Sequence, residues 1–326
     1  PWLTARPKAL SALRKVLGRS DYRAHEGVNT GGANGVFWLE VLGKRPDGLL
    51  IVRNLTEGAK RKVEQVTTVL EPDLVYPLLR GRDVQRWRAT PSAHILMVQD
   101  PKTRRGIPEE VLQEKYPHTW AYLKRFEPIL RQRAAFHRYF TRKSQGKVVE
   151  TGPFYSMFNV GEYTFSPYKV VWPNIGDKAP AAVISMFNEK LILPQHIITL
   201  IALNNLDEAH YICALINSCC FIMAANSYSM HGGKSFGDPH ILENIKIPKY
   251  DLNNKIHLEL ANISKKLYLL NLTNHKIKLL EDKIDRLASL IWNITKEEFQ
   301  DIRWNLADLE AAGRSGDIAT TTAEEE

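Results

Sequence analysis

Apolar positions along this chain follow two spacings. Residues 7–19 repeat them every three to four places, the mark of a short amphipathic helix. GVNTGGANGVFWLEVL (27–42) then reads as a Gly/Asn-rich turn feeding a strand. Strand-like runs follow at Leu49 to Val52, His94 to Gln99, Tyr168 to Trp172, Ala181 to Phe187 and His196 to Leu203, separated by PDG, NIGDKAP and NN. Helical patterns occupy roughly 108–140 and 207–224, the second opening on Asp207 as N-cap. This order, without regular βαβ alternation, predicts an α+β chain with a mixed sheet.

The last third changes character after IKIPKYD (245–251). From Ile256, apolar residues fall at Leu260, Ile263, Leu267, Leu270, Ile277, Leu280, Ile284, Leu287 and Ile291, with Asn274 filling the one gap. The spacing predicts a long C-terminal helix of about 35 residues, hence about 50 Å, carrying a coiled-coil-like seam. The short steps after Asn274 predict a bend or a change of partner there. The seam packs either on its own domain or against another domain or subunit. The expected division is a domain over 1–250, the helix and a short helical end over 251–310, and a disordered tail over 311–326, GRSGDIATTTAEEE being polar and biased.

With 326 residues, 44% of them hydrophobic, the chain can bury a sizeable core. It has no apolar run of membrane-spanning length and its N-terminus lacks a signal-peptide stretch, so a cytoplasmic protein without membrane contact is expected. Cys213, Cys219 and Cys220 lack metal-ligand spacing and read as reduced core thiols. Charge changes the picture more. Between Leu78 and Lys147 stand 16 Lys and Arg against 6 Asp and Glu, a net +10 in a chain of net +8. Trp87, Tyr116, Trp120, Tyr122, Phe126, Phe136, Tyr139 and Phe140 are interleaved with them. Concentrated cations suit phosphate backbones and aromatic planes suit bases. A solvated basic helix with its aromatics in the core is the other reading of 117–140.

Motifs for nucleotide hydrolysis fail on inspection. DEAH (207–210) opens an apolar helix rather than ending a strand, and HGGKSFG (231–237) lacks the P-loop's first glycine, since Tyr228 holds that place. The scattered histidines, His231 and His240 included, suggest no metal site, so neither catalytic residues nor metal ligands are assigned. YPLLRGRDVQRW (76–87) is the sharper candidate. Arg80 and Arg82 can pair with guanine edges or clamp phosphates, Asp83 can orient an arginine or accept from cytosine, and Arg86 and Trp87 would support them. The competing reading is an internal ion-pair turn. Asn29 to Asn34, with Thr30, offers backbone N–H groups for a phosphate; Lys234 and Ser235 offer a second loop; Lys124 and Arg125 would meet phosphates without reading bases.

Five segments then carry a resemblance when taken in order: GVNTGGANGVFWL, YPLLRGRDVQRW, YSMFNVGEYTFSPYKVVWPNIG, LILPQHIITLIALNNLDEAHYICALINS and GGKSFGDPHILENIKIPKYD. Together with IDRLASLIWNITKEEFQDI (284–302), they resemble the C-terminal specificity region of TaqI-like adenine DNA methyltransferases and of type IIG or BREX-like restriction-modification proteins, over roughly residues 20–302. The resemblance implies a target-recognition domain that reads double-stranded DNA, followed by a spacer helix as in type I specificity subunits. That family's catalytic half carries Asn-Pro-Pro-Tyr/Phe and a glycine-rich loop for S-adenosylmethionine. Neither is in this chain; FSPYK (165–169) lacks the Asn. The expectation is therefore a fragment or separate specificity subunit, inactive alone, without a cofactor of its own, whose partner is a catalytic methyltransferase domain or subunit. A non-enzymatic RNA-binding module and a protein scaffold are the alternatives.

Overall fold

The computed structural model describes residues 7–57, 62–174, 180–228 and 238–321. Strands β1 (Ala24–Glu26), β2 (Trp38–Lys44), β3 (Leu50–Asn54), β4 (Thr67–Leu70), β5 (Val75–Leu79) and β6 (Ala93–Leu96) precede two hairpins. These are β7 (Gln99–Asp100) with β8 (Arg105–Gly106), and β9 (Thr141–Ser144) with β10 (Lys147–Glu150). β11 (Tyr168–Pro173), β12 (Ala182–Ile184), β13 (Leu193–Pro194) and β14 (Ile198–Leu203) complete the set. Two-residue ribbons also pair Val84–Gln85 with Arg88–Ala89 and Met186–Phe187 with Lys190–Leu191.

The strands form a six-stranded sheet, β13-β5-β6-β2-β3-β4, and a four-stranded one, β1-β14-β11-β12. β13 runs parallel to β5 and the other pairings in both sheets are antiparallel, so the class is α+β with a mixed sheet, as its pattern predicts. Each sheet buries one face under helices. The short helix α2 (Asn34–Phe37) leads into β2, and over the first sheet lie α3 (Glu109–Lys115), α4 (Pro117–Arg125), α5 (Glu127–Arg131) and α6 (Ala134–Tyr139), whose region contributes Leu123, Phe126, Leu130 and Phe136 to one core with Phe37, Leu39, Val52 and Ile95. Prolines at the starts of α4 and α5 make two of the three breaks that divide the helical pattern of 108–140, because proline cannot donate to a preceding turn.

The second lobe explains why YKVVWP and ITLIAL, Lys169 and Thr199 apart, are apolar without alternation. Val170 and Trp172 of β11, with Ile201 and Leu203 of β14, face a helical core, while Val171, Ile198 and Leu200 face a smaller cluster shared with Leu79 of β5. Both faces of these strands are thus covered. The helical layer consists of α1 (Pro7–Val16), α7 (Leu206–Ile216), α8 (Cys219–Tyr228), α9 (Lys255–Leu269), α10 (Asn274–Ile291) and α11 (Lys296–Thr321). α7 is capped by Asn205, whose Oδ1 accepts from the N–H groups of Asp207 (2.8 Å) and Glu208 (3.1 Å), so the cap lies two residues before the expected Asp207. The three cysteines are buried thiols of this core.

The expected single C-terminal helix is two. α9 ends at Leu269, and Thr273 starts α10, its Oγ1 accepting from Lys276 N–H. The polar NLTN turn at 271–274 competes with the helix by local hydrogen bonding, and the gap at Asn274 is its trace in the apolar pattern. Leu260, Ile263, Leu267 and Ile284 are buried with α7 and α8, so most of the seam faces its own lobe; Leu270 does not and is 49% exposed. α11 carries helical backbone to Thr321 over residues expected to lack regular structure; residues 322–326 lie outside the described ones. Among the described residues, no single helix is long and apolar enough to cross a membrane.

Candidate nucleic-acid interface

The RGRD turn is closed by its own side chains. Asp83 Oδ2 accepts from Arg80 N–H (2.8 Å), and Asp83 Oδ1 accepts from the Ser92 hydroxyl (2.5 Å). Arg80 Nε and Nη2 donate back to Ser92 Oγ at 2.9 and 2.6 Å. Arg80 and Asp83 are therefore spent within the turn, which is the ion-pair reading of the motif. Gly81 does allow close approach, but of the chain's own residues: a Cβ there would lie 2.9 Å from Ile197 Cδ1. Arg82 is exposed and, among the described residues, forms no ion pair. Arg86 Nε pairs with Glu281 of α10 at 3.0 Å and its Nη2 donates to the Asn217 carbonyl at 2.6 Å, so it fastens the motif to the helical layer rather than pointing outward. Trp87 donates to the same Glu281.

The glycine-rich loop is braced in the same way. Asn29 Oδ1 accepts from Gly31 N–H (2.8 Å), and the Thr30 hydroxyl donates to Asn34 Oδ1 (2.6 Å). Gly31 and Gly32 sit at φ +66 and +85, the left-handed region glycine adopts without strain. Beneath them Arg133 is fully buried, its guanidinium donating to the carbonyls of Leu130 (2.9 Å), Thr30 (2.7 Å) and Phe154 (2.7 Å). Thr30 is 1% exposed and so presents no surface to a ligand, and the Gly31 N–H expected to hold phosphate is already used. Lys124 pairs with Glu127, and Arg125 with Glu64 at 2.6 Å; both are exposed pairs of the kind that contribute little to stability and exchange readily. Lys234 and Ser235, with His231, lie outside the described residues.

A cleft of about 550 Å³ opens where the two lobes meet, lined among others by Glu26, Asn29, Arg104, Tyr139, Phe158 and Tyr163. Asn29 reaches it because residues 28–29 cross from one lobe to the other, bridging to Gln195 and Phe158. Its walls are aromatic. Tyr139 meets Phe158 edge-on with ring centres 5.3 Å apart, and His25 stacks on Tyr163 at 4.0 Å. Glu26 accepts from Asn159 Nδ2 at 2.6 Å; burial raises its carboxyl above the usual range, as does the charge of Asp238, against the lowering effect of that hydrogen bond. Burial, with the nearby cations Arg23 and Arg104, lowers the His25 imidazole.

Arg104 lines this cleft, and Arg138 lies over the ring of Tyr139 in its wall. Lys102, Arg104 and Arg105 occupy the β7–β8 hairpin and Arg138 ends α6; all are exposed and, among the described residues, form no ion pair. From sequence, the Asn29 loop and the basic segment with its interleaved Tyr139 and Phe140 pointed here; Arg104 was not singled out within that segment, and Phe158 and Tyr163 were missed because their segments meet it only in three dimensions. The arrangement offers cationic, amide and aromatic groups to one ligand, as a polyanion with planar rings requires. Among the described residues, no group of three His, Cys, Asp or Glu is placed to hold a metal.

No family model matches the chain. Over 149 residues, 46% of its length, it is 26% identical to a type II methyltransferase, M.NspV of Nostoc sp., and the match spans 28% of that protein. A solved structure of the type IIL restriction-modification enzyme MmeI in complex with DNA superimposes with a TM-score of 0.47 and 11% identity, covering 88% of this chain and 35% of that one. The chain thus spans well under half the length of either. By sequence, it is related to a segment of a type II methyltransferase.

Proposed function

We propose that this chain is the DNA-recognition part of a restriction-modification adenine methyltransferase of the TaqI-like kind. It holds duplex DNA along the basic face around the cleft, and a separate domain or subunit supplies S-adenosylmethionine binding and methyl transfer. The observation that carries the reading is the distribution of charge. Within the basic segment Lys124, Arg125 and Arg131 are paired with carboxylates, whereas Lys102, Arg104, Arg105 and Arg138 are exposed and, among the described residues, form no ion pair, with Arg104 lining the aromatic cleft and Arg138 lying over the Tyr139 ring. Unmatched surface cations repel one another, and a phosphate backbone relieves that repulsion while releasing its counterions. The similarity to a type II methyltransferase over 46% of the chain supports the same reading.

In this account Arg82 and Asn29 are candidates for base-edge contact, Arg104 and Arg105 hold phosphates, and Arg80, Asp83, Arg86 and Thr30 shape the surface without touching DNA. Lys124 and Arg125 join the phosphate contacts only by giving up their carboxylate partners. The test is competition for a fluorescent duplex. Unlabelled duplex should displace it far better than single-stranded or double-stranded RNA of equal length. Preference for RNA would favour an RNA-binding module, and no binding to either would favour a protein scaffold.

A further inference from the structure

We infer that the β9–β10 hairpin, TRKSQGKVVE, is a ribbon that enters the major groove of duplex DNA. The inference rests on the DNA-binding reading above and adds an element that no motif singled out. Its two strands pair in register, Arg142 with Val149 and Ser144 with Lys147, around Gln145 and Gly146 at φ +49 and +76. Positive φ at both central residues is the tight turn whose twist suits a two-residue hairpin. The ribbon is rooted firmly at its base: Thr151 N–H donates to the Phe140 carbonyl (2.8 Å), the Thr141 hydroxyl to the His137 carbonyl (2.6 Å), and Arg131 pairs with Glu150.

Beyond that root, the side chains of Arg142, Lys143, Ser144 and Lys147 form no hydrogen bond or ion pair among the described residues. Every residue from Arg142 to Glu150 is exposed, with Val148 at 64% and Val149 at 41%. A two-stranded ribbon with no buried face gains little from folding alone, and β-branched residues on both faces are left without a partner. Side chains alternate across a ribbon, so Arg142, Ser144, Lys147 and Val149 share one face, and Lys143 and Val148 share the other with Thr141 and Glu150. Glu150 is the one acid of the ribbon and is occupied by Arg131, so the projecting part is cationic without an opposing charge.

This combination commits the ribbon to one occupant. A partner protein's apolar groove would accept the valines but not three desolvated cations. The major groove is about 12 Å wide and admits a two-stranded ribbon, whereas the minor groove, at about 6 Å, does not. Phosphates line both its edges for Arg142, Lys143 and Lys147, and thymine methyl groups on its floor suit the valine side chains.

The experiment uses the whole chain with Arg142 and Lys147 both changed to Ala, exposed positions whose loss leaves the core untouched; a matching thermal melt confirms this. Duplex affinity at 0.1 M salt should fall about 10- to 100-fold and the salt slope should flatten by about 2, the loss of two phosphate contacts. Binding by the unaltered chain should release methyl green, a major-groove dye, and persist when netropsin fills the minor groove. If the unaltered chain binds duplex and the variant binds equally well, the ribbon is not a groove element, although the DNA-binding reading stands. Blockage by netropsin with methyl green retained overturns it in the same way. If the substitutions change only the chain's self-association, the ribbon is a contact between copies. If the unaltered chain binds no duplex, both proposals fall.

Discussion

The indole N–H of Trp87 donates to the carboxylate of Glu281 over 2.7 Å, joining residues 194 apart in the chain. Glu281 also pairs with Arg86 Nε at 3.0 Å, so one carboxylate on α10 holds the end of the RGRDVQRW segment against the helical layer. Trp87 is buried with its backbone at φ +73, and its own N–H donates to the Ala181 carbonyl of the second lobe at 2.9 Å. Glu281→Ala leaves a buried donor without an acceptor and should cost about 1–3 kcal/mol in urea unfolding. Glu281→Gln keeps an oxygen for the indole and should cost less. Equal stability for all three proteins would show that the tie has no energetic weight.

Arg133 supports the glycine-rich loop from below through three backbone carbonyls. Arg133→Lys retains charge but not the planar fork that reaches several acceptors at once, so it should not restore what Arg133→Ala loses. Both should destabilise the protein by about 2–4 kcal/mol, since buried carbonyls lose their donors. Hydrogen exchange at Gly31 and Gly32 should quicken in each. Unchanged exchange would separate the loop from Arg133.

Lys169 makes stability depend on pH. Its ammonium is buried on the inter-lobe face of β11, with carbonyls of Ser166 (2.8 Å) and Ile192 (3.3 Å) as acceptors, and burial pushes its pKa down to about 7. In the unfolded chain it titrates at its ordinary 10.5. Between these values the unfolded state binds more protons, so stability should rise as pH rises from about 7 to about 10.5 and fall again on return. Lys169→Met should be more stable than the natural protein at pH 7, with the difference shrinking towards pH 10.5. A difference that does not vary with pH would contradict this.

Arg80 and Arg82 should behave oppositely. Arg80→Ala unmakes the closed turn with Ser92 and should lower stability by about 1 kcal/mol or more. Arg82→Ala, at an exposed position, should change stability by less than about 0.5 kcal/mol yet weaken duplex binding. With the catalytic half restored, it should also reduce preference for the cognate site by about 1–3 kcal/mol. An Arg82→Ala protein that binds and selects DNA normally would move base reading to other residues.

What was legible in the sequence had a local cause. β11 and β14 are nearly continuous apolar runs, interrupted by the buried Lys169 and Thr199, because both their faces are covered, and α7 follows from its apolar repeat, although its cap is Asn205 rather than Asp207. The break at Leu270 was visible only as the Asn274 gap, since a capping turn and a helical bend leave the same mark in an apolar pattern. The site was harder to read. Arg82, Arg86, Arg125 and Arg133 look alike as cations in a basic segment, and what separates the last three is a partner many residues away, such as Glu281 for Arg86, Glu64 for Arg125 or the Thr30 carbonyl for Arg133. The hairpin at 141–150 did leave a local signal, Gln145-Gly146 between strand-forming residues, but the basic helical pattern before it obscured where the helix stops.

The most direct measurement is the affinity of the whole chain for a labelled duplex across a salt series. Lys102, Arg104, Arg105 and Arg138, together with Arg142, Lys143 and Lys147 of the ribbon, can meet six or more phosphates, so log affinity should fall with log salt at a slope of about −5 or steeper. Replacing Arg104 and Arg105 with Ala should flatten that slope by about 2 while leaving the melting temperature unchanged. An affinity that does not respond to salt, or a slope untouched by those substitutions, would contradict the account.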